Sequence, residues 1–186
     1  ACFSEFGVHV TCVDNDEGNI KALDRGEIPI YEAGLEELVA RNVKGGRLQF
    51  TSDAEAAIDQ ALVVFIAVGT PEGPDGSTDL RYVEAVAREI GQRMTSYKVI
   101  VAKSTVPVGT SGRVGACIDE ELARRGTNIS YSLASNPEFL REGAAIGDFM
   151  RPDRVVIGTD GEDDQALSIM KDLYRPLYLN ETPFVE

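Results

Sequence analysis

The sequence predicts a doubly wound α/β fold: an open parallel sheet with helices on both faces. Three observations predict it. Strand-like and helix-like segments alternate along the whole chain, as repeated βαβ units require. The runs Ala61 to Val68 and Val99 to Ala102 are continuously apolar, the pattern of strands buried on both faces of a parallel sheet. Each such run also stops in a polar, turn-prone stretch: Val68-Gly69-Thr70-Pro71, Lys103 to Thr110, and, after Ile129 to Ala134, Ser135 to Glu142. Sites of open α/β sheets are built at such strand ends.

The elements follow in order. The chain is expected to open in mid-helix, with Gly7 as the terminating residue. Val8 to Val13 is β-rich and ends on Asp14, and Asp16 to Arg25 can form a helix stopped by Gly26. Gly26 to Gly34 carries Pro29 and leads into a short helix from Leu35 to about Asn42; Tyr31 and Glu32 read as its entry. Leu48 to Thr51 is a strand, and Ser52 or Asp53 can cap a helix over Ala54 to Asp59. After the apolar strand Ala61 to Val68, a loop runs from Gly69 to Ser77. From Thr78 the residues Leu80, Val83, Ala87, Ile90 and Met94 fall at helical spacing, with Glu84 and Arg88 expected to pair on the opposite side. Gly109 to Arg125 is the next helix, apolar at Val114, Ile118 and Leu122 and ended by Gly126. In Ser135 to Glu142, Asn136 is expected to cap a helix with Pro137 in its first position, which would put Glu138 and Glu142 on one face as a candidate acid/base pair. Acids in a first helical turn are also favoured by the macrodipole alone. A strand over Arg154 to Gly158 and a helix over Glu162 to Tyr174 complete the chain.

Composition narrows the function. Eighteen basic against thirty-one acidic residues give a formal net charge of −13, which repels a phosphate backbone and an anionic membrane surface, so no nucleic-acid or membrane partner is expected. The longest apolar run is far short of the roughly 20 residues a membrane helix needs. Cys2, Cys12 and Cys117 have neither metal nor disulfide spacing; they read as core residues of a protein in a reducing, cytoplasmic compartment. No metal site is expected, and His9, in a strand without a catalytic partner, is assigned no role. The chain is read as one domain over residues 1–186.

In the dinucleotide-binding, Rossmann-type version of this sheet, a G-x-G-x-x-G turn joins the first strand to the first helix, and an acid ends the second strand to hold a ribose hydroxyl pair. Asp14 stands where that acid belongs. No two glycines of this chain are two apart, so the motif is absent, and Asp14 lies too near the start to leave room for it. The sheet is therefore expected to lack its first strand and glycine loop. That strand would lie between Val8–Val13 and Leu62–Val68, so these two are expected to share no ladder.

Taken together, Val10 to Asp14, Pro29 to Glu32, Val68 to Pro71, Ser104 to Thr110, Asn136 to Glu142 and Arg151 to Arg154 resemble the UDP-glucose 6-dehydrogenase family from end to end. Val-Pro-Val-Gly-Thr at Val106 to Thr110 favours the UDP-glucose branch over the GDP-mannose branch, which typically has Val-Leu-Pro-Gly-Thr. The resemblance implies oxidation of a UDP-sugar's C6 alcohol to a carboxylate in two hydride transfers to NAD, through a thioester on a cysteine. It also implies a homo-oligomer at full length. By the same resemblance, Asp14 would bind the adenosine ribose and Val68, Gly69, Thr70 and Pro71 would line the cofactor. Thr105 would touch NAD and position a catalytic water, and Glu138 would be the general base for that water. Glu142 would lie beside the nicotinamide. The substrate would be held by Glu138, Phe139, Leu140, Arg141 and Glu142. Two departures stand out. Many members carry Lys or Arg five residues after the ribose acid, where this chain has Asn19. The family's G-F-G-G-S-C nucleophile loop and its lysine and asparagine are not among these residues, so the chain alone is expected not to oxidise the sugar. Related UDP- or GDP-sugar dehydrogenases, or a non-catalytic nucleotide-binding module, are the alternatives.

Overall fold

A computed structural model describes residues 1–73, 76–104, 106–159, 161, 163–180 and 182–186, with the backbone alone at Leu179 and Asn180. In chain order the elements are α1 (Cys2–Glu5), β1 (Val10–Val13), α2 (Glu17–Asp24), α3 (Leu35–Lys44), β2 (Leu48–Thr51), α4 (Ala54–Gln60), β3 (Val63–Ile66), α5 (Arg81–Arg93) and β4 (Lys98–Ala102). There follow α6 (Thr110–Arg125), β5 (Tyr131–Ser135), α7 (Ala145–Met150), β6 (Val155–Val156), β7 (Gly158–Thr159), α8 (Asp164–Leu173), a 3-10 segment (Arg175–Asn180) and β8 (Phe184–Val185). They divide into two compact units. One comprises Ala1–Ala57, Phe139–Val155 and Met170–Phe184; the other comprises Ile58–Glu138, Val156–Ile169 and Val185–Glu186.

In the first unit β1 and β2 are parallel, with Val10 opposite Leu48 and Val13 opposite Thr51. Leu38, Val39 and Leu48 are buried beside them. Helix α3 runs past its expected end at Asn42 because that side chain is wholly buried and fully used. Its amide donates to the Glu5 carboxylate at 2.7 Å and to the Leu38 carbonyl at 2.8 Å, and its oxygen accepts from Arg47 at 3.1 Å. Phe3 packs edge-on against Phe149 and Tyr174, each with ring centroids 5.1 Å apart, geometry that aromatic quadrupoles favour.

In the second unit β3, β4 and β5 form a parallel ladder to which β7 adds an antiparallel edge. All five residues of β4 are buried, as expected of a central strand. The expectation of burial on both faces fails for β3, whose Val63, Val64 and Phe65 are only partly covered. The reason is its place in the ladder: among the described residues β3 pairs with β4 alone and β1 with β2 alone. The expectation that these two strands share no ladder is thus met.

Helices α5 and α6 pack together, and the periodic residues read from the sequence, Val83, Ala87, Ile90 and Met94 on one and Val114, Ile118 and Leu122 on the other, are all buried. The charged pair expected along α5 is rearranged: Arg88 reaches Glu120 of α6 at 2.6 Å, and Glu84 accepts from Arg113. Facing helices offer these long side chains closer partners than their own helix does. Such exposed pairs are worth about 0–1 kcal/mol, so the apolar seam carries the packing. Lys98, buried at the start of β4, donates to the Asp59 carbonyl at 2.9 Å and so satisfies the end of α4.

The strand expected over Arg154 to Gly158 is split at Ile157. That residue is buried and its N–H donates to the Val185 carbonyl at 2.9 Å, so β6 belongs with β8 while β7 turns to β5. Helix α8 begins two residues later than expected, where Asp163 accepts the Ala166 N–H at 2.9 Å.

Two ion pairs are expected to make folding sensitive to acid. Arg81 grips Asp79 and Arg141 grips Asp148, mainly through side-chain hydrogen bonds, and each carboxyl is lowered from 3.8 to about 2. The sign follows from linkage: a carboxyl depressed by folding stabilises the fold above its unfolded value and loses that contribution as pH falls through the folded one. Stability should therefore decline between about pH 4 and about pH 2. A double Asp79→Asn, Asp148→Asn variant should show a shallower decline in denaturant midpoint over that interval, and an unchanged slope would refute the assignment.

Candidate functional site

The second unit gathers the strand-end motifs. Ile66, Ala102 and Ser135 stand opposite one another at the ends of β3, β4 and β5. The ladder runs one step further, because Lys103 N–H donates to the Ile66 carbonyl at 3.2 Å and Asn136 N–H to the Ala102 carbonyl at 3.0 Å. Beyond this row the Ser104 hydroxyl donates to the Val68 carbonyl at 2.8 Å. Lys103 Nζ lies 3.7 Å from Glu138 Oε2. Val68, Ser104, Lys103, Asn136 and Glu138 are thus brought together at the carboxyl ends of three parallel strands, where the sequence placed the site. Thr70 and Pro71 continue from β3, with the Pro71 carbonyl accepting from Asp79 N–H at 2.8 Å, and Gly69 is exposed. Thr105 lies outside the described residues.

The expected helix over Asn136 to Glu142 does not form; residues 136–141 have no regular secondary structure, Glu142 lies in a turn, and helix begins only at Ala145. Asn136 is the reason. Its amide donates to the Val156 carbonyl at 2.9 Å instead of capping a following turn, and its N–H is spent on the ladder. The i, i+4 relation of Glu138 and Glu142 is therefore lost as a geometric argument. Glu138 stands exposed just past β5.

In the first unit, Asp14 ends β1 on the turn into α2. Its Oδ1 accepts the Asp16 N–H at 2.9 Å and its Oδ2 accepts the Asn19 amide at 3.1 Å. Asp16 caps α2 through Gly18 and Asn19 N–H. An ionised carboxylate has about four lone-pair sites, so Asp14 keeps acceptor capacity for a pair of hydroxyls. Asn19, where a cation was noted as missing, orients that carboxylate without adding charge. This donor and acceptor set fits a ribose diol and offers nothing cationic for a phosphate on it.

The same unit holds Phe139, Leu140, Arg141 and Glu142, all exposed. Among the described residues nothing accepts the backbone N–H of Phe139 or Leu140, so both can meet a ligand. The Arg141 side chain is committed: its guanidinium and its N–H bind Asp148 at 2.7 to 3.0 Å. Glu32, read from sequence as part of a helix entry, both accepts Leu35 N–H through its carbonyl and receives Gly143 N–H on its carboxylate at 2.9 Å. Gly143 has φ of 79°, which favours glycine there. Sequence reasoning missed this clamp because its two halves are 111 positions apart.

A groove of about 390 Å³ lies at the amino end of β5, the opposite end from the motif row, and its Tyr131 hydroxyl and Asp119 satisfy each other at 2.7 Å. The three cysteines are free thiols, with Cys117 buried and Cys2 and Cys12 partly so, and burial pushes all three up. No helix among the described residues is long and apolar enough to cross a membrane.

A family model described as "UDP-glucose/GDP-mannose dehydrogenase family, NAD binding domain" matches residues 1–178. A UDP-glucose 6-dehydrogenase of Rhizobium meliloti is 55% identical over 187 residues, covering 99% of this chain and 41% of that protein. One from Pseudomonas aeruginosa is 48% identical over 180 residues, covering 97% and 39%. Among solved structures, a UDP-glucose dehydrogenase from Pyrobaculum islandicum matches with TM-score 0.90 and 42% identity, over 99% of this chain and 41% of that one. The chain spans about two fifths of the length of these relatives.

Proposed function

Because the chain belongs to the UDP-glucose/GDP-mannose dehydrogenase family as its NAD-binding domain, we propose that it is the cofactor-binding part of an enzyme oxidising UDP-glucose to UDP-glucuronate. The observation that carries this reading is the row at the ends of β3, β4 and β5, which puts Glu138 beside Lys103 at the place where such sheets do chemistry. Bound NAD would supply the acceptor for hydride leaving the sugar's C6. Asp14 holds the adenosine ribose through its remaining lone pairs, oriented by Asn19. Val68, Gly69, Thr70 and Pro71 line the cofactor, with Glu142 near its nicotinamide. Phe139, Leu140 and Arg141 belong to the sugar-nucleotide side, the first two offering backbone N–H. In the water-dependent step Glu138 takes a proton from water as its oxygen bonds to the acyl carbon and the carbon–sulfur bond breaks; Thr105 helps place that water. UDP-glucose is favoured as the sugar by the Val106 to Thr110 motif and by the relatives' own activities. Self-association at full length belongs to the same reading, as does a cytoplasmic location, which the free thiols support.

Calorimetric titration tests the cofactor half of this reading. Each hydrogen bond to a charged group is worth about 1.5–3 kcal/mol, so Asp14→Ala should weaken NAD binding about tenfold to a hundredfold. NADP should bind poorly to the unaltered protein. Equal affinity of the variant and the parent for NAD would remove Asp14 from the site. For the sugar, NADH formation with UDP-glucose should greatly exceed that with GDP-mannose in the full-length protein, and the reverse order would reassign the branch.

A further inference from the structure

The structure assigns a positioning role to Lys103: we propose that its ammonium group holds the Glu138 carboxylate aimed for proton abstraction from water. This rests on the reading of Glu138 as the general base. Lys103 is the first residue past β4, and its backbone is fixed by the hydrogen bond to Ile66. Its side chain is only 14% exposed, and Nζ lies 3.7 Å from Glu138 Oε2 and 3.5 Å from the Asn136 carbonyl. That carbonyl is a fixed acceptor, because Asn136 is tied to Ala102 through its N–H and to Val156 through its side chain. Pro137 then restricts the backbone leading to Glu138.

The energetics separate this arrangement from an ordinary structural pair. An ammonium group taken out of water costs several kcal/mol unless close partners replace its hydration. Here both contacts are at the long end of the range, so the cost is not returned in tight bonds. Burial pushes the Lys103 ammonium below its usual value, and the nearby Glu138 charge opposes that shift. From the packed neighbours β3 and β5 the residues at this level are Ile66, Val68, Ser135 and Asn136, none of them titratable. Among the described residues Glu138 is the charged group that faces Lys103. Glu138 itself is 44% exposed, so water reaches the carboxylate while the lysine is shielded behind it. A lysine is a point charge on a flexible stem; it can hold the carboxylate's charge without fixing both oxygens, which leaves one for water.

The test is a kinetic split in the full-length protein, with the first NADH formed, before water is consumed, read apart from steady turnover. Lys103→Gln should slow the water-dependent step about tenfold, while KM and the first burst of NADH stay within about twofold. Lys103→Arg should restore the rate of that step. A merely structural lysine would lower the burst and the water-dependent step together, and that result overturns the proposal. If Lys103→Gln does not fold, Lys103→Met decides in its place by the same split. Failure of the base reading is distinguishable, since Glu138→Gln would then leave hydrolysis intact.

Discussion

Glu138→Gln in the full-length protein is expected to lower steady turnover by about 10²–10⁴-fold, the usual contribution of a positioned general base. Glutamine keeps the shape of the side chain but cannot take a proton from water. The change leaves the Asp14 turn untouched, because the hydrogen bonds shown there join Asp14, Asp16, Gly18, Asn19 and Thr51, and none of them involves Glu138. NAD affinity should therefore stay within about twofold, while the loss falls on the step that consumes water. Hydride transfer precedes that step in the proposed sequence, so a rapid burst of NADH should survive, followed by a stalled acyl-enzyme. Stopped-flow absorbance would record the burst, and mass spectrometry the covalent adduct. A variant with no burst would place Glu138 at an earlier step, and one with normal turnover would exclude it as the base.

The largest stability effect is expected at Gly91. This residue lies in α5 against α6: a Cβ built there would stand 2.9 Å from the Glu121 Cβ and 3.0 and 3.1 Å from the Ile118 carbonyl oxygen and Cα. Two of the three contacts are backbone, which cannot swing aside, so the helices must part. Ile90, Met94, Ile118 and Leu122 would then lose packing together. Gly91→Val should cost about 3 kcal/mol, the upper part of the usual range for overpacking. For a domain of this size that is a fall in Tm of about 6–12 °C. Gly112, in α6 with nothing within 4 Å of its Cβ position, provides the opposite sign. There Gly112→Ala should stabilise by about 0.5–1 kcal/mol through helix propensity. Thermal melts of the two variants should diverge in direction, and a Gly91→Val protein as stable as the parent would mean that the helices do not meet at this point.

The sequence by itself determined most of the elements and the end of the sheet where the polar motifs gather. Leu80, Val83, Ala87, Ile90 and Met94 announce α5 because helical period and burial coincide, and the apolar run Val99 to Ala102 announces the central strand because nothing polar interrupts it. Asp14 and the motifs after β3, β4 and β5 were legible for the same reason: each is a local change from apolar strand to polar turn. Tertiary structure decided where local preferences met a distant partner. Asn136 is a strong helix cap by type, yet the Val156 carbonyl, 20 positions on, takes its amide and no helix starts there. Glu84 and Arg88 have helical spacing, yet each finds a charge on the facing helix. Lys103 and Glu138 become neighbours only because β4 and β5 run parallel with Ala102 opposite Ser135. Periodicity encodes which face of an element is buried, whereas hydrogen-bond and charge partners are chosen among all groups that folding brings within a few ångströms. Register between strands, which no single segment contains, makes that choice at this site.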